Sequence, residues 1–456
     1  MTEIKRKNSL SLALFTSVFK VSLGLISYPL FLKFLNSFDL SVYLLFISTI
    51  GFVELLDLNF SANLVRYFSY ADAGLKTLNP NNDDDHNEQT DLLGDLFIMA
   101  RQYYRYMCVI AFVIFGFGFS IYLYYFTALH HKNFIYYELN WLGYMIAMLL
   151  GIYFTYLSPA LIGRGHIDRV NRVLLISKLT AVIIQSCLVY FIGLSAIVLG
   201  ALVSMIIERI LLLTLVNTQL NFEKNKKIDK SKFYKLLKQF WGTNYKLALM
   251  SISVTVLVRF KLFAAGFVIY DAGALAQFLF SLQVFTIAFT LATVPLSNNY
   301  SDMSAYFIAD KPKLVQVFLR QNKIALFIIL SASIFIILSG DLLVQLLKVK
   351  HPFLAWPYLF IIALIFILEI QLNNHVNSLI IQNKVYMYKS YLISAAGTIL
   401  MVVLFCFVLH LQIWGLLLSQ LIMQSLYNYW YWVKCNLRSY SLSIKDYMRS
   451  LCCIYA

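Results

Sequence analysis

The chain alternates long apolar stretches with short polar connections, most of them basic. A helix crosses a bilayer with about 20 predominantly apolar residues. Twelve stretches fit: residues 8–32, 41–62, 106–127, 139–163, 173–193, 195–217, 245–268, 274–297, 324–343, 356–380, 390–410 and 412–433. Two neighbouring pairs, 173–193/195–217 and 390–410/412–433, are each too long for one span and must turn, near Gly193 in one and Gly415 in the other. The pattern predicts an all-α integral membrane protein. Lys5, Arg6 and Lys7 precede the first stretch and imitate a secretory signal. Its apolar region is too long for one, and no small-residue cleavage site follows, so we read a retained helix.

Composition agrees. Of 456 residues, 60% are apolar and 13% are charged, where a soluble domain carries about 25% charged residues. This argues against a soluble enzyme, a disordered chain or a disulfide scaffold. A net charge of +15 would suggest nucleic acid in a soluble protein. Here the charge sits in the connections and reports orientation instead, since Lys and Arg collect in cytoplasmic loops. With the N-terminus inside, the cytoplasmic segments hold 27 Lys and Arg, and the opposite side holds Lys33, Lys132, Lys348 and Lys350. Both termini are therefore expected in the cytoplasm. The densest basic segment, 218–244, suits the anionic headgroups of the inner leaflet, and no nucleic-acid partner is expected.

The chain reads as two halves with one rhythm: a six-helix bundle over 1–217, a basic cytoplasmic linker over 218–244, a second bundle over 245–433 and a tail over 434–456. Residues 32–45 resemble 263–277, which would match Asp39 to Asp271, and 158–177 resemble 377–394. Equal orientation of the halves implies a pseudo-two-fold axis normal to the membrane, with alternating access where the halves meet.

Catalytic signatures are missing from the sequence. There is no G-x-x-x-x-G-K-[ST] loop, no H-E-x-x-H and no C-x-x-C pair. No cofactor and no metal site is expected; in the acidic insertion 76–96, the adjacent acids Asp83, Asp84 and Asp85 come without the turn-forming glycine of a calcium loop. The reading is transporter rather than enzyme.

Charges inside the spans are the chemical candidates, because each costs about 2.5–3.5 kcal/mol at mid-bilayer. Lys20 and Arg259 lie near mid-depth in the first helix of each half. They suggest a cationic cavity for an anionic group, and a guanidinium suits a phosphate. The alternative is internal pairing with Glu54, Asp57 or Glu369. Glu54 and Asp57, three apart on one helix face, could pair with Lys20 or bind a coupling ion. Lys261 lies nearer the outer end of its span. Glu369, Gln371, Asn373, Asn374, His375 and Asn377 make half of span 10 polar, as a water-lined vestibule would be. Glu208, Arg209 and Lys178 are expected to snorkel to the headgroups.

Segment 57–71, DLNFSANLVRYFSYA, resembles the D-x-G-x-x-x-x-x-x-R-Y pattern of polysaccharide flippases. These belong to the multidrug/oligosaccharidyl-lipid/polysaccharide (MOP) exporter superfamily. Segment 156–169, YLSPALIGRGHIDR, resembles that family's "l-x-x-l-G-R" end of helix 4, and 295–321 resembles its Pro-containing end of helix 8. The matching motif residues are Asp57, Arg66 and Arg164. There are departures: Asn59 stands where the pattern has Gly, and the span beginning LVRFKLFAAGF lacks the acid that relatives often carry.

The resemblance is greatest to O-antigen or capsule repeat-unit flippases. It implies two six-helix bundles around a cavity, and a bacterial inner-membrane protein that moves an undecaprenyl-pyrophosphate-linked oligosaccharide to the outer leaflet, driven by membrane potential or an ion gradient. It also implies polysaccharide polymerase and assembly proteins as partners. The substrate would then meet Lys20, Arg259, Lys261, Glu369, Asn373 and Asn374. The alternatives are a drug/cation antiporter, a lipid II flippase and a membrane glycan polymerase or ligase.

Overall fold

The computed structural model describes residues 30–58, 60–72, 92–219, 230–346, 353–382 and 384–452. Residues 8–29 of the first apolar stretch, with Lys20, and residues 76–91 of the acidic insertion lie outside the described residues.

Among the described residues the elements are all helical. The first half contains α1 (Ser37–Glu54), α2 (Phe60–Asp72), α3 (Leu92–Leu129), α4 (Phe134–Tyr153), α5 (Leu157–Gly163), α6 (Ile167–Ile192) and α7 (Leu194–Gln219). The second contains α8 (Lys230–Val268), α9 (Ala272–Asn298), α10 (Tyr300–Ala309), α11 (Lys311–Leu346), α12 (Trp356–Ile381), α13 (Tyr388–Val408), α14 (Gln412–Leu426), α15 (Asn428–Ser439) and α16 (Ile444–Cys452).

Ten helical stretches among these residues are long and apolar enough to span a membrane. Helices suit that solvent because each satisfies its own backbone. Large apolar side chains point outward along them: Phe191 is 75% exposed and Leu338 is 77% exposed. This is a multi-pass membrane protein. The stretch 412–433 is not one continuous helix. It breaks at Tyr427 (φ −144, ψ −56) into α14 and α15.

Two sequence expectations change. The linker 218–244 is helical from Lys230 onward, so Lys230, Lys232, Lys235 and Lys238 ride on the first turns of α8. The turn between α6 and α7 does use Gly193, at φ 55, a left-handed geometry that glycine adopts without strain. Gly415, however, lies inside α14. A Cβ there would stand 2.7 Å from Cys406 Sγ and 3.1 Å from Phe405 Cβ. Close packing, not a turn, requires that glycine.

The internal repeat also shifts in register. Asn36 Oδ1 accepts the Asp39 backbone N–H at 2.8 Å and starts α1, while Asp271 Oδ2 accepts the Ala274 N–H at 2.6 Å and starts α9. An N-cap accepts from the amide two or three residues on, so Asn36 rather than Asp39 is the counterpart of Asp271. The Ser41 hydroxyl donates to the Ala272 carbonyl at 2.9 Å, joining these two helix starts.

The chain forms two compact units. One comprises Phe46–Ile252, and the other comprises residues up to Leu45 together with Ser253 onward. The first has an aromatic core: Phe60 stacks on Tyr103 at 3.9 Å and meets Phe240 at 4.1 Å. In the second, α12 is enclosed by neighbouring helices and buries Ile362, Ile365, Ile370 and Leu372.

Candidate functional site

In the second unit a polar ladder runs between α8, α12 and the last span. Lys261 is 4% exposed. Its ammonium donates to Gln420 Oε1 and lies 5.7 Å from the Phe366 ring centre. Gln420 Nε2 then donates to Glu369 Oε1 at 2.9 Å. Gln424 Nε2 and the Tyr429 hydroxyl donate to the same oxygen at 3.3 and 3.0 Å. Gln420 thus bridges the cation and the carboxylate, accepting from one and donating to the other. Burying a charge in hydrocarbon is tolerable only with such partners. Sequence reasoning singled out Lys261 and Glu369 but missed Gln420, Gln424 and Tyr429. Gln420, Gln424 and Asn428 recur at intervals of four in an apolar stretch, which was the available signal.

Arg259 is on the same helix, two residues before Lys261. Two residues turn a helix by roughly 200°, so Arg259 does not share the face that enters the ladder. It is half-buried. Among the described residues it has no hydrogen bond or ion pair.

Span 10 supplies a second network. Asn374, His375 and Ser378 are all 0% exposed. Asn374 Nδ2 donates to Asn322 Oδ1 at 2.8 Å. His375 Nδ1 meets Asn436 Nδ2 at 3.0 Å, and Ser378 reaches Asn436 Oδ1 at 3.2 Å. The expected vestibule is here a packed polar core joining α11, α12 and α15. Asn373 stays half-buried on the same helix.

In the first unit Asp57 sits in the short turn after α1, followed by Leu58 at φ 49. The pattern's glycine is thus absent from a turn that bends the chain into left-handed backbone. Asp57 accepts the Ser61 backbone N–H at 3.3 Å and the Ser61 and Tyr104 hydroxyls. A carboxylate at the start of α2 complements the helix dipole. Asp57 and Glu54 do not continue one helix face: α1 ends at Glu54 and a tighter turn follows.

Another motif residue, Arg164, fastens α2 to α5. Arg164 Nε pairs with Asp72 Oδ1 at 2.8 Å, and the Ser69 hydroxyl donates to the Gly163 carbonyl at 2.9 Å. A Cβ on Gly163 would come within 2.5 Å of Phe68 Cβ. Arg66 is exposed and lies 5.5 Å from the Tyr67 ring centre.

Glu208 and Arg209 do not snorkel. They are 4% and 9% exposed, and Arg209 Nη1 pairs with Glu208 Oε1 at 3.3 Å. Arg209 Nη2 donates to the Gly151 carbonyl at 3.0 Å, and the Ser177 hydroxyl donates to Glu208 Oε2 at 3.1 Å. The reason is position: α7 packs against α4 and α6, so both side chains turn into the unit. They line a cleft of ≈ 270 Å³ with Ser61, Val65, Thr155 and Ser158.

Solved structures share this arrangement of helices. An inward-facing multidrug-resistance MATE transporter of the MOP superfamily matches with TM-score 0.67 at 12% identity, over 92% of this chain and 95% of that one. The lipid II flippase MurJ, inward closed, matches at 0.64 and 14%, over 96% and 89%. The fold is that of MOP superfamily transporters. A further MOP transporter, from Pyrococcus furiosus, matches at 0.61 and 12%, over 96% and 97%; reversed polarity of its binding pocket suggests a different function for that protein. At these identities the shared property is the fold, which has twelve spans in two bundles. No family model and no curated protein matches the sequence.

Proposed function

We propose that this chain is a flippase that carries an undecaprenyl-pyrophosphate-linked oligosaccharide from the inner to the outer leaflet of a bacterial inner membrane by alternating access. The observation that carries the reading is Arg259, half-buried in span 7 with no partner among the described residues. An unpaired guanidinium in a span is a functional-site candidate by default, and its planar fork suits a pyrophosphate. Lys20, at matching depth in the sequence of the first half, supplies a second cation. Asn373 is a half-buried amide of span 10 available to a sugar. Lys261, Glu369 and Asn374 support that surface from behind, since the first two are engaged in the ladder and Asn374 is fully buried.

The fold shared with a lipid II flippase supports a lipid-linked cargo, and the reversed pocket polarity of the archaeal relative supports a departure from drug export. A drug/cation antiporter needs an acidic cavity for cationic drugs, and the deep cations Lys20 and Arg259 speak against that. Drive comes from the membrane potential or an ion gradient, both termini are cytoplasmic, and a polysaccharide polymerase receives the product outside.

The test is complementation in cells lacking their own repeat-unit flippase. Arg259→Ala and Lys20→Ala should reach the membrane and restore no surface polysaccharide. Normal polysaccharide in both variants removes the cationic-site reading.

A further inference from the structure

The last helix, α16, is only nine residues long, yet it is strongly two-faced. Its inward face carries Tyr447, which is 5% exposed. That hydroxyl donates to Gln371 Oε1 at 2.6 Å, accepts from Asn322 Nδ2 at 2.7 Å and lies 3.2 Å from His375 Nε2. One phenol from the tail therefore closes the packed network that joins α11, α12 and α15. Burial pushes this phenol up to about 12, so it stays protonated and able to donate.

The outward face has the opposite character. Ile444 is 60% exposed and Met448 is 54% exposed, one turn apart. Lys445 and Arg449, also one turn apart, are exposed beside them. The acid in this helix, Asp446, is occupied at its start: the Ser443 hydroxyl donates to Asp446 Oδ2 at 2.5 Å, and the Asp446 backbone N–H donates to Ser443 Oγ at 3.1 Å. What remains facing outward is apolar and cationic. That is the composition of a helix lying in a headgroup layer, with its apolar side chains dipping toward acyl chains. Tyr447 meets Asn322, two residues before the apolar stretch 324–343 of α11, and His375, in the last third of α12. The tail helix is therefore held beside the end of α11 that precedes its apolar stretch.

We propose that α16 is a membrane-surface helix whose outward face binds anionic phospholipid, and that this binding holds Tyr447 in the Asn322–Gln371–His375 network. The lipid surface thereby clamps one end of α11 and α12 together. The occupant is a bilayer surface rather than a protein: the charge is complementary to anionic headgroups, and the bilayer is already adjacent.

The test uses the full chain in nanodiscs of phosphatidylcholine alone or of phosphatidylcholine with phosphatidylglycerol, read by hydrogen exchange. Both faces of a nanodisc carry the same lipid, so the result is independent of membrane orientation and of the cargo. Exchange in 444–452 should be slower in the anionic discs. Lys445→Glu with Arg449→Glu, both on the exposed face, should abolish that difference. Tyr447→Phe should speed exchange near Asn322 and His375 and leave the first unit unchanged. Equal exchange in the two lipids, or a lipid effect that survives the double substitution, overturns the proposal.

Discussion

Each unit buries a cation with a carboxylate, but they do so differently. In the first, Arg209 touches Glu208 directly at 3.3 Å and also holds the Gly151 carbonyl. In the second, Lys261 and Glu369 are separated by Gln420, and Glu369 has two further donors in Gln424 and Tyr429. The direct pair depends on its partner for neutralisation. The bridged pair keeps each charge solvated by amides and a phenol, so loss of one charge leaves the other with hydrogen bonds. A direct pair fixes a structure; a bridged one can survive rearrangement, as the proposed alternating access would require of helices near a substrate.

Removing single partners sharpens this contrast. Glu208→Ala strands Arg209 and should cost about 3–5 kcal/mol, the usual penalty for breaking a buried pair, read as a large drop in thermal midpoint in nanodiscs. Lys261→Met should cost less, about 1–3 kcal/mol, because the main loss is the ammonium's bond to Gln420. Equal losses would erase the distinction between the two pairs. Arg164→Ala removes an ion pair whose side chains are 30% and 40% exposed; it should cost no more than about 1 kcal/mol and serves as the control.

The hydrophobic pattern made much of this fold legible, because span length is dictated by bilayer thickness, and ten helical stretches among the described residues are long and apolar enough to cross one. Depth in a span was legible too: Arg259 and Glu369 were visible as charges where charges are costly. Facing was not. The mean pattern of an all-apolar helix has no polar side to give direction, so Glu208 and Arg209 looked close enough to the interface to snorkel and are in fact turned inward. Polar span 10 looked like a vestibule, yet Asn374 and His375 pack against Asn322 and Asn436 from helices distant in sequence. Gly415 looked like a turn because its close neighbour, Cys406, lies on the preceding helix. In the 57–71 motif, Asp57 was recognised from its spacing, but its role at the start of α2 needed Tyr104 and Ser61 beside it.

The central claim is that Arg259 receives the anionic group of the cargo. The direct measurement is flipping of an undecaprenyl-pyrophosphate-linked oligosaccharide by proteoliposomes of wild-type protein, Arg259→Ala and Arg164→Ala. The account predicts that Arg164→Ala flips the lipid at the wild-type rate while Arg259→Ala, folded and correctly inserted, does not. Wild-type flipping by Arg259→Ala contradicts it.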